Sequence, residues 1–477
     1  MPAPAVALAT AAVTVTLVLT PAIPVWADPG RLSPRSTDVV LDDPAPVNRP
    51  TLVKIKNDAQ AKGISLQQAL DIHIAQAANR LTKADEPDGP VDIPNVTIDD
   101  LTAAQLHDLA LIAKDDGTDL ATAIDAHGWQ DQFNDIADKL EDDYPDQFSG
   151  AIKADDGSSA WFGFKGAIPP AAIETVKALP VKVTLTGNRG FSEKELDAQN
   201  RAAHAHVVQN SAVAAASAGY DIRTGTVTVS AQLKPEVKRN ATLEAELDPP
   251  TPSVNGISAK TVVANASKAP MDGYLRGGGW LERRTASDNY AAHCTAAFNV
   301  IERGGSAKRS STAGHCMWAH ELLRHRNHGN DTGHTQVVRK MKHMGEHGDI
   351  AFNNTGTAGS DTPTRTFYFT HTKKRYADKE NRPRVGTRVC KYGRTTGESC
   401  DNVEQLGWIN DYGQWGYPVV YGLAETKKGY TQGGDSGGPW YYGGTVYGVT
   451  SGGDRSGDIF TPTDTTFYKH GYVVWTR

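Results

Sequence analysis

Cysteine and methionine are scarce in this chain of 477 residues, with four and five copies. Four cysteines are too few for a small disulfide-stapled scaffold, and a chain this long can bury a core without one. No large excess of one charge is present either: 49 Lys and Arg against 55 Asp and Glu leave a formal −6. The strongly basic domain that usually marks a nucleic-acid binder is therefore missing, and no nucleic-acid partner is expected. Beyond the first two dozen residues no apolar run is long enough to span a bilayer, so no stable membrane association is expected. Heptad arrays and internal repeats are also absent. What remains, 39% hydrophobic and 22% charged residues with 46 Gly and 26 Pro, is the composition of a soluble globular protein. At roughly 100–200 residues per domain it has room for about two to four domains.

No charged residue precedes Asp28. Ala5–Thr20 is apolar or small, Pro21 and Pro24 break it, and Val25-Trp26-Ala27 places small or aliphatic residues where a signal peptidase reads. Residues 1–27 are expected to be a signal peptide and the protein to be secreted and extracellular, although the usual Lys or Arg at the start is missing. An anchor helix is the alternative, and Thr10, Thr14, Thr16 and Thr20 dilute it.

Residues 28–150 are acidic and read as mainly helical: Ser65-x-x-Gln68 is a capping-box pattern ahead of Leu66, Leu70, Ile74, Ala77 and Leu81 on one face. Leu101–Lys114 and Asp119–Asp143 read as further helices. From 151 to 248 the pattern is α+β, with strands at Trp161–Lys165, Val181–Thr186 and Thr226–Ala231 and a capped helix opening at Ser192-x-x-Glu195. Residues 249–270 have linker composition. Residues 271–477 show short alternating runs between Gly and Asn turns, the pattern of an all-β domain. Charge divides at the same boundary, with 23 basic against 35 acidic residues over 1–270 and 26 against 20 beyond. The halves are thus −12 and +6, which favours their association.

Cys294, Cys316, Cys390 and Cys400 all lie in the β region, where an even count behind an export signal argues for two disulfides. Three pairings are formally open. Cys294–Cys316 and Cys390–Cys400 are favoured, because each closes a short loop across what read as adjacent strands.

Three segments carry the chemistry: Thr312-Ala313-Gly314-His315-Cys316, His347-Gly348-Asp349-Ile350-Ala351-Phe352, and Gln432-Gly433-Gly434-Asp435-Ser436-Gly437-Gly438-Pro439. A serine hydroxyl needs a base within hydrogen-bond reach, and the base needs a carboxylate to fix its tautomer. Ser436, His315 and Asp349 supply the three parts. A tight glycine turn can also aim the N–H groups of Gly434 and Ser436 at one point, where an oxyanion would form.

The order His, Asp, Ser with Thr-Ala-Gly-His-Cys and Gly-Asp-Ser-Gly-Gly-Pro resembles the chymotrypsin-like serine endopeptidases over about residues 271–477, and among them the secreted bacterial streptogrisins and alpha-lytic protease. Cys294-Thr-Ala-Ala-Phe-Asn299, Cys390–Cys400 and Val449-Thr-Ser-Gly-Gly453 add to the likeness. The resemblance implies two six-stranded antiparallel β-barrels with the triad between them, a Cys294–Cys316 bridge bracing the His loop, and Ser451-Gly452-Gly453 as the strand that pairs with a protein or peptide substrate. It implies no cofactor and no metal, and a monomer. Trp161–Gly166, Gly190–Leu196 and Asp221–Gly225 look similar to the pro-segments of these enzymes, so residues 28–248 are expected to be a pro-region that assists folding and masks the cleft. Processing is bracketed between Ala269 and Trp280.

The chain departs from the vertebrate pattern in having no Ile-Val-Gly-Gly near residue 271, so Asp435 needs another cation, for which the bacterial pattern implies an Arg among residues 365–394. The pocket for the side chain before the scissile bond is expected at Tyr430, Thr431 and Gln432, with walls from Ser451–Gly453 and a Thr465–Tyr468 strand. No acid occurs in Lys427–Gly434, which favours a neutral pocket, while Asp454 and Asp464 keep a basic preference open. A zinc helix at His320-Glu321-Leu-Leu-Arg-His325 fails on spacing, since its second His stands at i+5; those histidines, with His328 and His334, read as a polar surface loop. An α/β-hydrolase esterase fails on motif and order. A catalytically silent binding module with an occluded cleft is the other reading.

Overall fold

The computed structural model describes residues 37–477 apart from 83, 86–87, 89–90, 235, 251, 264–268, 271–276, 285–289, 318–321, 328–334 and 356–362. The expected signal peptide and half of the processing bracket, residues 271–276, lie outside the described residues.

Local chemistry starts the helices where capping residues stand. Ser65 Oγ accepts from Gln68 N at 3.1 Å and Gln68 Oε1 from Ser65 N at 3.0 Å, opening Leu66–Ala78. The same reciprocal box opens Ala103–Asp115 at Thr102 and Gln105, and Glu193–Val208 at Ser192 and Glu195. Asp119–Asp143 is two helices rather than one, Leu120–His127 and Gln130–Asp143. The break falls at Gly128, a weak helix former whose carbonyl is taken by Arg49 Nη2 at 2.9 Å. Gln130–Asp143 packs Phe133, Ala137 and Leu140 on a four-stranded sheet of Thr37–Leu41, Lys182–Gly187, Ser159–Phe164 and Phe148–Lys153.

Beyond residue 276 the described chain is mostly β. One sheet takes eight strands between Trp280 and Thr355 and at Tyr472–Val474, and its pairings run open. In the other, Arg388–Gly393, Pro439–Tyr442, Thr445–Asp454, Gly457–Pro462, Val419–Thr426 and Gly397–Asp411 pair in turn, and the last returns to the first. The expected pair of closed six-stranded barrels is therefore seen as one closed ring and one open sheet. Thr465–Tyr468, read as a strand wall, lies within a helix, Thr463–Lys469, with Pro462 at its N-cap and Asp464 in its first turn. The four cysteines pair as Cys294–Cys316 and Cys390–Cys400.

The upstream half joins this ring directly. Val213–Asp221 lies antiparallel to Gly397–Asp411, with Leu406 opposite Tyr220 and Asn410 opposite Ser217. Thr226–Leu233 follows it, and Ser258–Val263 adds a parallel strand beyond. Part of the 249–270 stretch is thus sheet rather than linker, because its alternating apolar residues find a sheet edge to complete.

Charge holds the remaining contact. Arg365, Arg375, Arg382, Arg384 and Arg388 pair with Asp88, Asp108, Glu141, Asp138 and Asp116, all from the acidic half. Arg375 and Asp108 meet at 2.7 Å with almost no exposure, and Asp108 also accepts from Gly443 N. Gln130 accepts from Arg388 N at 2.7 Å and donates to its carbonyl at 2.9 Å. Lys153 Nζ sits buried 2.9 Å from His127 Nδ1, while Lys153 N donates to Val385 O. Burial and the nearby Arg388 lower Lys153 to about 7, and burial with the Lys153 charge lowers His127 to about 3.

Arg375→Ala should destabilise the full chain by about 3–5 kcal/mol in guanidinium unfolding, since it leaves Asp108 buried without its cation. The Lys153 pair adds a pH signature. An unfolded lysine keeps its proton up to its ordinary 10.5 while the folded one loses it near 7, so stability should rise from about pH 7 to 10.5. In Lys153→Met that rise should flatten, as read from unfolding midpoints across the window.

Candidate active site

His315 begins a short 3₁₀ turn, His315–Met317, just after the strand Lys308–Thr312, and Asp349 stands near the start of the strand Gly348–Thr355. The pairing of Ser310–Thr312 with Ala351–Asn353 brings the two together. Asp349 Oδ2 lies 2.6 Å from His315 Nδ1, and Oδ1 accepts from His315 N at 2.9 Å, so one carboxylate fixes both the ring and its backbone. Oδ2 also accepts from Ser451 Oγ at 2.7 Å, and Ser451 Oγ lies 3.0 Å from Tyr412 OH. From the other side Thr461 Oγ1 accepts from Asp349 N at 3.0 Å. With His315 Nδ1 held as donor, Nε2 is left as the acceptor, the tautomer a general base needs.

Ser436 lies in the Gly433–Gly438 turn, and Thr295 fastens that turn from the first sheet: its N donates to Ser436 O at 2.6 Å and its Oγ1 to Gly434 O at 2.7 Å. Gly434 has φ +118°, open to glycine and closed to side chains, and a Cβ there would meet Thr395 Oγ1. Both residues are buried, yet neither N–H donates to any described group, and Ser436 Oγ has no hydrogen-bond partner among the described residues. Buried unpaired N–H groups are rare, and two in one turn make a cradle for an oxygen that bears charge.

Asp435 points inward. It accepts from Thr395 N at 2.8 Å, Thr396 N at 3.2 Å, Thr396 Oγ1 at 2.5 Å and Gln432 N at 3.0 Å, and its cation is Lys391 at 3.5 Å. The sequence pattern implied an Arg here. Lys391 lies fully buried against Asp435, while five arginines of 365–394 pair with acids of the acidic half.

Of the expected substrate-binding residues, Gly452 and Gly453 pair antiparallel with Pro270 and Ala269 of this same chain. Ser451 holds Asp349. Tyr430 and Gln432 are exposed and Thr431 is buried. Neither acid considered for the pocket serves it: Asp454 caps its own turn through Ser456, and Asp464 pairs with Arg382 at 3.0 Å. His325 lies on the strand Leu322–Arg326, which removes the helix a zinc motif needs, and His320, His328 and His334 lie outside the described residues.

No family model matches the chain. Among solved structures it is similar to a glutamic acid-specific serine protease that uses a histidine triad in substrate binding, at 24% identity over 42% of this chain and 100% of that one, with a TM-score of 0.34. It is similar to a Nocardiopsis protease at 20% identity over 44% and 100%, TM-score 0.33, and to an alpha-lytic protease homologue, N4, at 23% over 42% and 98%, TM-score 0.34. What the chain can do is carried by the geometry of the site itself.

Lys391, Thr295, Thr461 and Tyr412 were not legible as site residues, since each acts across a strand pairing that no local motif records. Lys391→Ala should destabilise the chain by about 3 kcal/mol in chemical unfolding, because Asp435 stays buried and loses its cation. Lys391→Arg should recover part of that loss.

Proposed function

We propose that the chain is a secreted serine endopeptidase made as a zymogen, with His315, Asp349 and Ser436 as its triad and residues 28–248 as its pro-region. One observation supports this reading: Asp349 holds the His315 imidazole, and the adjoining Cys316 Sγ lies 4.0 Å from the carbonyl of Ser436, in a glycine turn where the Gly434 and Ser436 N–H groups have no partner among the described residues. In the mechanism Ser436 Oγ attacks the scissile carbonyl as His315 Nε2 takes its proton. The carbonyl oxygen becomes an oxyanion held by the N–H groups of Gly434 and Ser436. His315 returns the proton to the leaving amine, and water then repeats the sequence on the acyl-enzyme. Asp349 keeps its charge throughout and stabilises the imidazolium. Every group this requires is a protein group, so the proposed chemistry needs no cofactor.

Masking by the pro-region and the stretch that follows it is supported by three contacts. Ala269 and Pro270 lie on Gly452 and Gly453, where a substrate backbone would pair by strand addition. Val213–Asp221 extends the ring that carries Ser436, and the acidic half is locked on by buried ion pairs. His315 and Ser436 are buried in this state, which suits a precursor, and the serine-to-base contact is one that commonly forms only on substrate binding. The two disulfides fit an extracellular protein, and no helix of the described residues is long and apolar enough to cross a membrane.

Ser436→Ala should abolish peptide hydrolysis and, if maturation is autocatalytic, accumulate the uncut precursor with an unchanged unfolding midpoint. Asp349→Asn should lower turnover by about 10⁴-fold through the wrong imidazole tautomer. Full activity in Ser436→Ala would overturn this mechanism, and a folded wild-type chain without turnover would favour the silent module with an occluded cleft.

A further inference from the structure

The floor of the expected specificity pocket is held by an acid that the Lys427–Gly434 segment does not contain. Asp458, on the strand Gly457–Pro462, is fully buried. Its Oδ2 accepts from Tyr430 N at 3.0 Å, and its Oδ1 accepts from Thr431 N at 3.0 Å and Thr431 Oγ1 at 2.6 Å. It therefore sits on the two residues that form the expected base. Its strand partner is Gly453, on the expected wall, and a Cβ built there would stand 2.5 Å from Asp458 Oδ1 and 2.6 Å from Thr431 Oγ1. The Asp458 carboxylate thus faces the space that the absent side chain of Gly453 leaves open.

The charges at this place do not balance. Among the described residues no cation lies within ion-pair distance of Asp458, whereas the neighbouring Lys391 is bound to Asp435 at 3.5 Å and to Gly397 O at 3.1 Å. Two buried carboxyl groups have one buried lysine between them, a formal imbalance of one negative charge where burial makes an uncompensated charge costly. Burial pushes the Asp458 carboxyl up, and the Thr431 and Tyr430 donors and Lys391 offset this only in part. Oδ2, with one donor, has an acceptor position to spare.

We infer that Asp458 is the specificity-determining residue of the cleft and that the pocket takes a cationic side chain, lysine or arginine, immediately before the scissile bond. This rests on the protease reading above and replaces the neutral pocket expected from sequence. The incoming ammonium or guanidinium supplies the missing cation, and a neutral isostere is rejected because an apolar side chain would leave Asp458 uncompensated.

The test expresses the full chain, lets it process, and profiles a peptide library for the residue before each cut, with benzamidine as a cationic pocket probe. Cleavage after Lys and Arg at least 100-fold over Leu or Phe, with competitive inhibition by benzamidine, is expected. Asp458→Asn should collapse that ratio by 100-fold or more, and Asp458→Glu, which keeps the charge, should retain part of it. A wild-type protein that cleaves after apolar residues and ignores benzamidine overturns the assignment while leaving the triad standing. A protein that cleaves no peptide in the library overturns the protease reading and this assignment together.

Discussion

One buried carboxylate, Asp349, ties the two sheets together at the point where chemistry would occur. Its oxygens take His315 N and Nδ1 from one sheet and Ser451 Oγ from the other, and its backbone N–H goes to Thr461. These three donors fix the carboxylate in place and hold the imidazole against it. The Gly433–Gly438 turn is fastened independently, by Thr295 from the first sheet and by Asp435 with Lys391 from within the second. Base and serine are thus placed by separate sets of bonds, and their alignment depends on the sheets staying in register.

That register is supported from outside by the acidic half of the chain. Strand Val213–Asp221 extends the closed ring by backbone pairing, and Ala269–Pro270 occupies the edge at Gly452–Gly453. The arginines between Arg365 and Arg388 are spent on Asp and Glu of residues 88–141. These ion pairs are worth most where they are buried, as at Arg375 and Asp108, and the exposed ones add little. The −12 and +6 charge split therefore has a structural counterpart in a defined set of cross-chain pairs.

What could be read from sequence was what is local. Capping boxes at Ser65 and Ser192 act over three residues and appear where the pattern puts them. The His315, Asp349 and Ser436 motifs are short turns and strand starts, so their residues were identifiable without the fold. Long-range choices were not legible. Val213–Asp221 is rich in Ala, Gly and Ser, a poor strand former by itself, and becomes one because two neighbours pair with it. Asp458 was missed because its relation to Tyr430 and Thr431 passes through a sheet register, and Lys391 because a buried lysine between two strands leaves no local signal. His325, expected on a polar surface loop once the zinc helix had failed on spacing, lies on a strand for the same reason, since cross-strand pairing sets that segment.

The central claim is that Ser436 is an activated nucleophile in a cleft this chain closes with its own upstream half. Reaction of the secreted protein with a fluorophosphonate, followed by intact mass and mapping of the labelled peptide, tests it most directly. The account predicts a single phosphonylated site at Ser436 on a processed fragment of about 200 residues, with the unprocessed chain unlabelled. Absence of label on a folded, processed fragment, or label at another serine, would contradict it.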